Sequence, residues 1–173
     1  MIRWVKERAE KAVLWAEAGS LRYFHIRGVC CGDEFSHAVA ARYDLERFGA
    51  LPEARSEMAD VLIVSGAVSE AASQEIVRIY QQMSSPKWVM ALGSCACSGG
   101  IFSTEFGGKA IPGIAKLVPV DVFVPGCPPR PEAIIDGWIA LQNKIQGKEP
   151  KDARGVRRAS RDRFSDLETW GVS

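Results

Sequence analysis

Cysteine is the residue type in this 173-residue chain whose number and placement point most directly to chemistry. The chain has five: Cys30, Cys31, Cys95, Cys97 and Cys127. Thiolates are ligands that iron–sulfur clusters and zinc favour, and a cubane [4Fe–4S] cluster is held by four of them. The adjacent pair supplies two ligands, and Cys95 and Cys127 supply a third and a fourth. The sequence therefore offers a complete ligand set for a metal cluster.

The spacing alone leaves other interpretations open. Buried thiols without a ligand are a common state of cysteine in a reducing compartment. Zinc fits the softness of the ligands, although the paired C-x₂₋₄-C knuckles of structural zinc sites are absent from the sequence. A catalytic cysteine needs a base, and the two histidines, His25 and His37, offer no clear pairing. A metal site and a thiol or zinc scaffold therefore remain alternatives on the residues alone.

Glycines accompany the cysteine segments. Gly28 and Gly32 flank the adjacent pair, and further glycines precede Cys95 and Cys127. Adjacent side chains point apart in an extended chain, so joint ligation by Cys30 and Cys31 predicts a tight loop there. Glycine allows such a loop and lets backbone N–H groups approach sulfur.

Composition predicts a globular domain in a reducing compartment. Hydrophobic residues make up 47% of the chain and charged residues 25%, which is ordinary for soluble proteins. The formal net charge is +1, so bulk charge indicates no nucleic-acid partner. No run approaches the roughly 18 apolar residues of a membrane span. Charges throughout residues 1–18 argue against a secretory signal.

The elements that must position the cysteines alternate along the chain. Apolar periodicity predicts helices over 3–18, 34–48, 69–83, 111–117 and 131–146, and strands over 21–27, 59–66, 87–92 and 118–124. This alternation predicts an α/β fold, a flavodoxin-like parallel sheet with helices on both faces. Each cysteine segment directly follows a predicted strand. Because ligands in such folds bind at the carboxyl ends of the strands, we expect one shared cluster site there.

The chain divides into two parts by composition. Residues 1–146 carry the predicted elements and form the expected electron-transfer domain. Residues 147–173 alternate basic and acidic side chains and have few apolar ones before Phe164 and Trp170. A solvated tail is one interpretation of this segment. An arm that contacts a partner protein is the other, because exposed aromatic side chains indicate a binding surface.

At these same residues the sequence resembles a known family, the NuoB-like subunits of respiratory complex I (NADH:quinone oxidoreductase). Members of that family carry the terminal cluster beside the quinone site. The matching segments are CCGDEF (30–35), RYDLERFG (42–49), ADVLIVSGAV (59–68), the run from Tyr80 to Phe102 and VPVDVFVPGCPPRPEAI (118–134). They extend over about residues 20–146, and the PGCPPRPEA and GSC-x-x-SGG segments are highly specific.

The resemblance implies one [4Fe–4S] cluster with Cys30, Cys31, Cys95 and Cys127 as ligands. Cys97 lies where the family often has Asn, which implies a non-ligand near the cluster. Glu34 matches the acidic residue after the cysteine pair and is a candidate for proton coupling. An acid favoured by the dipole at a helix N-terminus is the alternative explanation of Glu34.

The family also implies partners and an activity that the chain does not have alone. The expected function is transfer of single electrons to a quinone-type acceptor at the boundary with a large, hydrogenase-like subunit. A ferredoxin-like iron–sulfur subunit is the expected donor, and membrane subunits couple the reaction to ion translocation. The chain itself is expected to be peripheral, on the cytoplasmic side, without its own span. It lacks the G-x-G-x-x-G motif of dinucleotide-binding domains.

A second branch of the superfamily is the alternative. Small subunits of membrane-bound [NiFe] hydrogenases and sulfur-reducing complexes resemble this chain but typically have two residues between their first two cysteines. Adjacent cysteines favour the quinone-reducing branch. Two departures weaken that assignment: Asp33 occupies a hydrophobic position, and Ser56 with Glu57 lies where the family has Ser-Pro-Arg. A cation usually found near the cluster is therefore expected to be either lost or replaced by Arg55.

Overall fold

The computed structural model describes residues 2–148, which contain one sheet of five parallel strands. The strands are β1 (Leu21–Ile26), β2 (Ala50–Pro52), β3 (Val61–Ser65), β4 (Trp88–Leu92) and β5 (Val122–Val124), in the order β2-β1-β3-β4-β5. This is the flavodoxin-like order. The predicted fold class is confirmed. The predicted arm over 147–173 lies almost wholly outside the described residues and stays a prediction.

Helices cover both faces of the sheet. They are α1 (Ile2–Ala18), α2 (Val29–Val39), α3 (Glu70–Gln82), α4 (Ser94–Ser98) and α5 (Pro131–Ile145). Ser69 caps α3, as the sequence predicts, because its side chain accepts the N–H of Ala72 at 3.3 Å. No helix among the described residues is long and apolar enough to cross a bilayer.

Two apolar layers enclose the central strands. On one face, α2 and α5 pack against the sheet around Trp138, which is fully buried and donates its indole N–H to Phe48 O at 3.2 Å. On the other, α3 and α4 contribute a second cluster that contains Ile76 and Ala96. All residues of β3 are buried, as its continuous apolar run predicts for a strand covered on both faces.

The structure differs from the prediction at three elements. The helix expected over 34–48 is wrong in extent, because α2 ends at Val39 and a separate 3₁₀ turn occupies Leu45–Phe48. The chain must reverse there so that β2 can pair with β1, and Asp44 adopts φ 50° in the reversal. The helix expected over 111–117 is only a 3₁₀ turn at Ile114–Lys116, preceded by Gly113 at φ 94°. That positive φ interrupts any helix that includes residue 113. The third element is the short strand β2, which the sequence pattern did not predict.

Two aspartates fix neighbouring strands at their amino ends. The Asp60 carboxylate accepts the backbone N–H of Arg22 at 2.8 Å, so it links β3 to β1. The Asp121 carboxylate accepts the N–H of Val89 at 2.8 Å and pairs with Lys144 Nζ at 2.6 Å. These contacts set the relative heights of the strands, and thereby of the carboxyl ends that carry the cysteines.

Candidate metal centre

The cysteines lie at the carboxyl edge of the sheet, as predicted. Cys30 and Cys31 follow β1, Cys95 follows β4 and Cys127 follows β5. The tight loop expected around the adjacent pair is wrong, because α2 begins at Val29 and both cysteines lie in its first turn. Successive side chains of a helix project about 100° apart. One helical turn therefore directs Cys31 into the protein and leaves Cys30 exposed.

The thiols interact electrostatically across all three segments. Cys31 and Cys95 are buried, with 1% and 5% of their surface exposed. The pKa of the Cys31 thiol is raised to about 12, chiefly by burial and in addition by the charges of Cys30, Cys95 and Cys127 and a hydrogen bond with Cys30. Burial also raises the pKa of Cys95, with additional contributions from Cys127 and Cys30. These four side chains therefore form one coupled group.

Such a group favours a cationic centre. Each buried thiol resists ionisation because its neighbours would place more negative charge beside it. Metal binding reverses this balance, since thiolates are the ligating form and bound metal ions stabilise them. Four soft donors and no competing charged ligand among them match an iron–sulfur cluster.

Glycines leave room beside the two buried sulfurs. A Cβ on Gly93 would lie 2.4 Å from Cys31 Sγ, and a Cβ on Gly100 would lie 3.1 Å from Cys95 Sγ. Gly93 has φ 92° and ψ 155°, a conformation that is essentially restricted to glycine. The sequence predicts close approach of backbone to sulfur at these segments, and the residues present fit a cluster.

No three or more His, Cys, Asp or Glu side chains within residues 2–148 are grouped closely enough to hold a metal ion. A single zinc ion would hold its thiolates at about 2.3 Å. A cubane needs a wider shell, because four iron and four sulfide atoms lie between its ligands.

Ser94 joins the Cys95 turn to the Cys127 segment. Its backbone N–H donates to Gly126 O at 2.8 Å, and its hydroxyl lies 3.1 Å from the same oxygen and 3.3 Å from Gly126 N. Gly93 N–H also donates to Val124 O at 2.8 Å. These bonds extend the β4–β5 pairing beyond the strands. The sequence pattern did not predict this role of Ser94, although its position directly before Cys95 was a signal.

Cys97 has a different environment from the other thiols. Its Sγ lies 3.7 Å from Ala91 O, on the apolar layer formed with α3. Burial raises its pKa to about 11, and Cys95 adds to the shift, against a hydrogen bond with Val124 that lowers it. The assignment of Cys97 as a non-ligand stays a prediction.

Glu34 lies one turn beyond the cysteine pair on α2. Its carboxylate is 25% exposed and lies 3.6 Å from His37 Nδ1. Together they line an open cavity of about 300 Å³ with Ala40, Arg42, Tyr43 and Pro131. The role of Glu34 in proton coupling stays a prediction.

Arg55 does not supply a positive charge beside the cysteines. Arg55 immediately precedes the 3₁₀ turn Ser56–Met58 before β3 and contacts Met58 Sδ, at the opposite end of the sheet from the cysteines. The expected replacement of the lost cation by Arg55 is therefore wrong. Arg27 instead reaches the cysteine turn, where its Nη2 pairs with Asp33 Oδ1 at 2.5 Å. Asp33 is thereby paired with an arginine at the surface.

The family follows from comparison with known proteins. The family model described as "NADH ubiquinone oxidoreductase, 20 Kd subunit" matches residues 29–141, which include all the cysteines. The chain belongs to this family. It is therefore a member of a family of oxidoreductase subunits, and the resemblance carried by the cysteine segments is confirmed.

Individual relatives of the family agree. The chain is 46% identical over 142 residues to the NADH-quinone oxidoreductase B 2 subunit of Anaeromyxobacter sp., covering 82% of this chain and 76% of the relative. It is 40% identical over 155 residues to the NAD(P)H-quinone oxidoreductase K 2 subunit of Synechocystis sp., covering 85% and 70%.

A solved structure shares the fold. It is a chain in the structure of the membrane-bound sulfane sulfur reductase, an archaeal respiratory membrane complex. The TM-score is 0.72 at 37% sequence identity, with 81% of this chain and 78% of the other covered. The family relatives and this structure therefore come from complexes named for different acceptors.

His25 gives the folded chain a pH dependence. Burial lowers its pKa from 6.5 to about 4, and the charge of Arg27 adds to the shift. The unfolded state therefore binds this proton more strongly than the folded state. The contribution to stability is complete above pH 6.5 and is lost as pH falls towards 4, by up to about 3 kcal/mol.

We therefore expect the free energy of unfolding to fall less between pH 7 and about pH 4.5 in His25→Gln than in the wild-type chain. Urea titration of both chains at each pH measures the difference. His37→Gln, which changes an imidazole with 69% of its side chain exposed, should keep the wild-type dependence. If the free energy of unfolding depends on pH equally in His25→Gln and in wild type, the lowered pKa assigned to His25 is wrong.

Proposed function

We propose that this chain holds one [4Fe–4S] cluster through Cys30, Cys31, Cys95 and Cys127 and passes single electrons within a membrane oxidoreductase. The observation that carries the proposal is the placement of four cysteines, from three separate segments, at the carboxyl edge of one parallel sheet. A bound cluster supplies reversible transfer of one electron at a time. The acid–base chemistry of the reaction therefore belongs to side chains near it.

The chain's own residues hold and orient this group. The first turn of α2 presents Cys30 and Cys31 together with the free N–H groups of a helix N-terminus, which stabilise negative charge. Cys31 and Cys95 close the buried side, whereas Cys30 and Cys127 are exposed. An exposed side supports electron exchange with a partner protein that covers it. The site therefore has one side enclosed by the chain and one side that a partner protein can contact.

Membership of the family supports a proposal for the partners of this chain. We propose that a large, hydrogenase-like subunit covers the exposed cysteines and contributes the acceptor site, and that a ferredoxin-like iron–sulfur subunit donates electrons. Membrane subunits translocate ions, and this chain is peripheral on the cytoplasmic side. Residues 147–173, of which only 147 and 148 are described, are proposed as an arm that contacts a partner.

A quinone-type molecule is the proposed acceptor. The relatives named as quinone oxidoreductase subunits support it, as does the adjacency of Cys30 and Cys31. The structural likeness to a chain of a sulfane sulfur reductase complex supports a sulfur species as the second candidate. The purified complex, reduced by its donor, should be reoxidised by a soluble quinone analogue. Reoxidation by polysulfide with no response to quinone would establish the second candidate.

Glu34→Gln tests proton coupling directly. Glutamine keeps the size of the side chain but cannot exchange a proton, so we expect the rate of quinone reduction by the complex to fall about tenfold or more. The amount of cluster and its spectrum should stay as in wild type, because Glu34 is not a proposed ligand. Steady-state assay and low-temperature EPR on the same preparation measure both.

Glu75→Gln is the matched control. Glu75 also forms an i,i+3 pair, with Arg78 at 3.5 Å, but lies on α3 across the sheet. Its substitution should leave the rate unchanged. A full rate in Glu34→Gln, or an equal loss in both variants, would reject the proton-coupling role.

A further inference from the structure

A buried hydroxyl connects β3 to the start of the cysteine turn. Ser65, the last residue of β3, has 2% of its surface exposed. Its Oγ accepts the backbone N–H of Gly28 at 2.9 Å and lies 3.3 Å from Ile26 O and 2.9 Å from His25 Nε2. Three polar groups of the β1 segment therefore meet at one side chain from the neighbouring strand.

The hydroxyl can satisfy all three partners in one arrangement. A serine hydroxyl has one donor and two acceptor sites. If its hydrogen points to Ile26 O, its lone pairs receive the N–H groups of Gly28 and His25. This requires a hydrogen on Nε2 of His25, in the neutral form that burial of the ring favours. His25 thus determines which way the Ser65 hydroxyl points.

Gly28, whose backbone N–H donates to Ser65 Oγ, sets where α2 begins. Gly28 is the N-cap of α2, and no side chain caps that end. A Cβ on Gly28 would lie 2.1 Å from Ser65 O, so the two segments are in close backbone contact. Cys30 and Cys31 follow within the first turn. A shift of Gly28 would therefore move both thiols relative to Cys95 and Cys127.

The packing of His25 supports the same assignment. Its ring lies 4.4 Å, centroid to centroid, from that of Phe35 on α2. The imidazole therefore contacts α2 through Phe35 and the N-cap through Ser65. The Phe35 contact thereby holds the imidazole in place beside the Ser65 hydroxyl.

We propose that Ser65 is a positioning residue for the Cys30–Cys31 turn and that His25 fixes the orientation of its hydroxyl. This inference rests on the proposed cluster function of the same site. Neither residue touches the cluster in this assignment. Both act through the backbone of Gly28 on the geometry of two ligands.

The test compares Ser65→Ala, His25→Gln and the double variant with wild type in the assembled complex. Low-temperature EPR of the reduced cluster reports ligand geometry, and the rate of iron loss to a chelator reports how firmly the site is closed. We expect altered g-values or a broader signal in both single variants. Iron loss should be about tenfold faster in Ser65→Ala, as loss of one acceptor for a buried N–H implies.

The double variant shows whether Ser65 and His25 act as one unit or independently on the rate of iron loss. The double variant should lose iron no faster than Ser65→Ala, because His25 is proposed to act only through Ser65. Ser65→Thr, which retains the hydroxyl, should restore the wild-type spectrum. Ser73→Ala is the control, since the Ser73 hydroxyl donates to Glu70 O on α3, far from the cysteine turn, and it should match wild type.

The outcomes separate this inference from the function on which it rests. A cluster present in Ser65→Ala with the wild-type spectrum and wild-type iron loss overturns the positioning role and leaves the function standing. Additive effects in the double variant overturn the role of His25. A complex without any cluster signal in the wild type overturns the proposed function itself. If Ser65→Ala does not accumulate, His25→Gln and Ser65→Thr supply the same comparison.

Discussion

Gly93→Ala is expected to abolish the cluster signal. The added methyl group would lie 2.4 Å from Cys31 Sγ, closer than two non-bonded atoms approach. The backbone there, at φ 92° and ψ 155°, is also one that alanine rarely adopts. Both effects displace a proposed ligand. Iron and acid-labile sulfide analysis of the complex, together with low-temperature EPR, should show loss of one cluster per complex.

Gly107→Ala separates the contact with sulfur from backbone strain. Gly107 also has a positive φ, 80°, but nothing lies within 4 Å of its added Cβ. We expect it to lose only about 1–2 kcal/mol of stability and to keep a full cluster. Loss of the cluster in both variants would show that general destabilisation causes the effect. A full cluster in Gly93→Ala would contradict the place assigned to Cys31.

Trp138→Ala is expected to remove most of the stability of the domain. The side chain is fully buried, packs edge-on against Tyr23 at 6.1 Å between ring centroids, and donates to Phe48 O. Truncation of a buried tryptophan costs about 3–5 kcal/mol, a large part of the total for a domain. In a urea titration of this chain, the midpoint of unfolding should fall to a lower urea concentration in Trp138→Ala than in wild type.

Trp15→Ala is the matched control on α1. Trp15 is 69% exposed, so the same truncation should change the free energy of unfolding by no more than about 0.5 kcal/mol. Equal losses in the two variants would contradict the core assigned to the α2–α5 face of the sheet.

The fold was largely predictable because its central strands have an unambiguous pattern. The run over 59–66 is apolar, short and closed by Ser-Gly, and a strand buried on both faces fits it best. β3 occupies Val61–Ser65, all of it buried. The strand β2 was not predicted because its local sequence pattern is too short to indicate a strand. It has three residues, and its pairing of Ala50 with Leu21 is set by tertiary contacts rather than by local pattern.

The edge of the sheet on which the cysteines lie was predictable, but the local geometry of the cysteine segments was not. Cysteine type and placement after strands indicated the shared edge, and the family resemblance implied the ligand set. The start of α2 was not predictable, because Gly28 caps it without a side chain and Gly32 within the turn is typical of a loop. Ser65 was equally hidden, since its role arises from residues 37 to 40 positions away.

The most direct test of the central claim is low-temperature EPR of the anaerobically purified complex, reduced stepwise, in wild type, Cys30→Ala and Cys97→Ala. We predict that one [4Fe–4S] signal disappears in Cys30→Ala and survives in Cys97→Ala, because Cys30 is a proposed ligand and the Cys97 thiol faces Ala91 O. If every cluster signal is unchanged in Cys30→Ala, the adjacent pair does not ligate, and the four-thiol assignment is wrong.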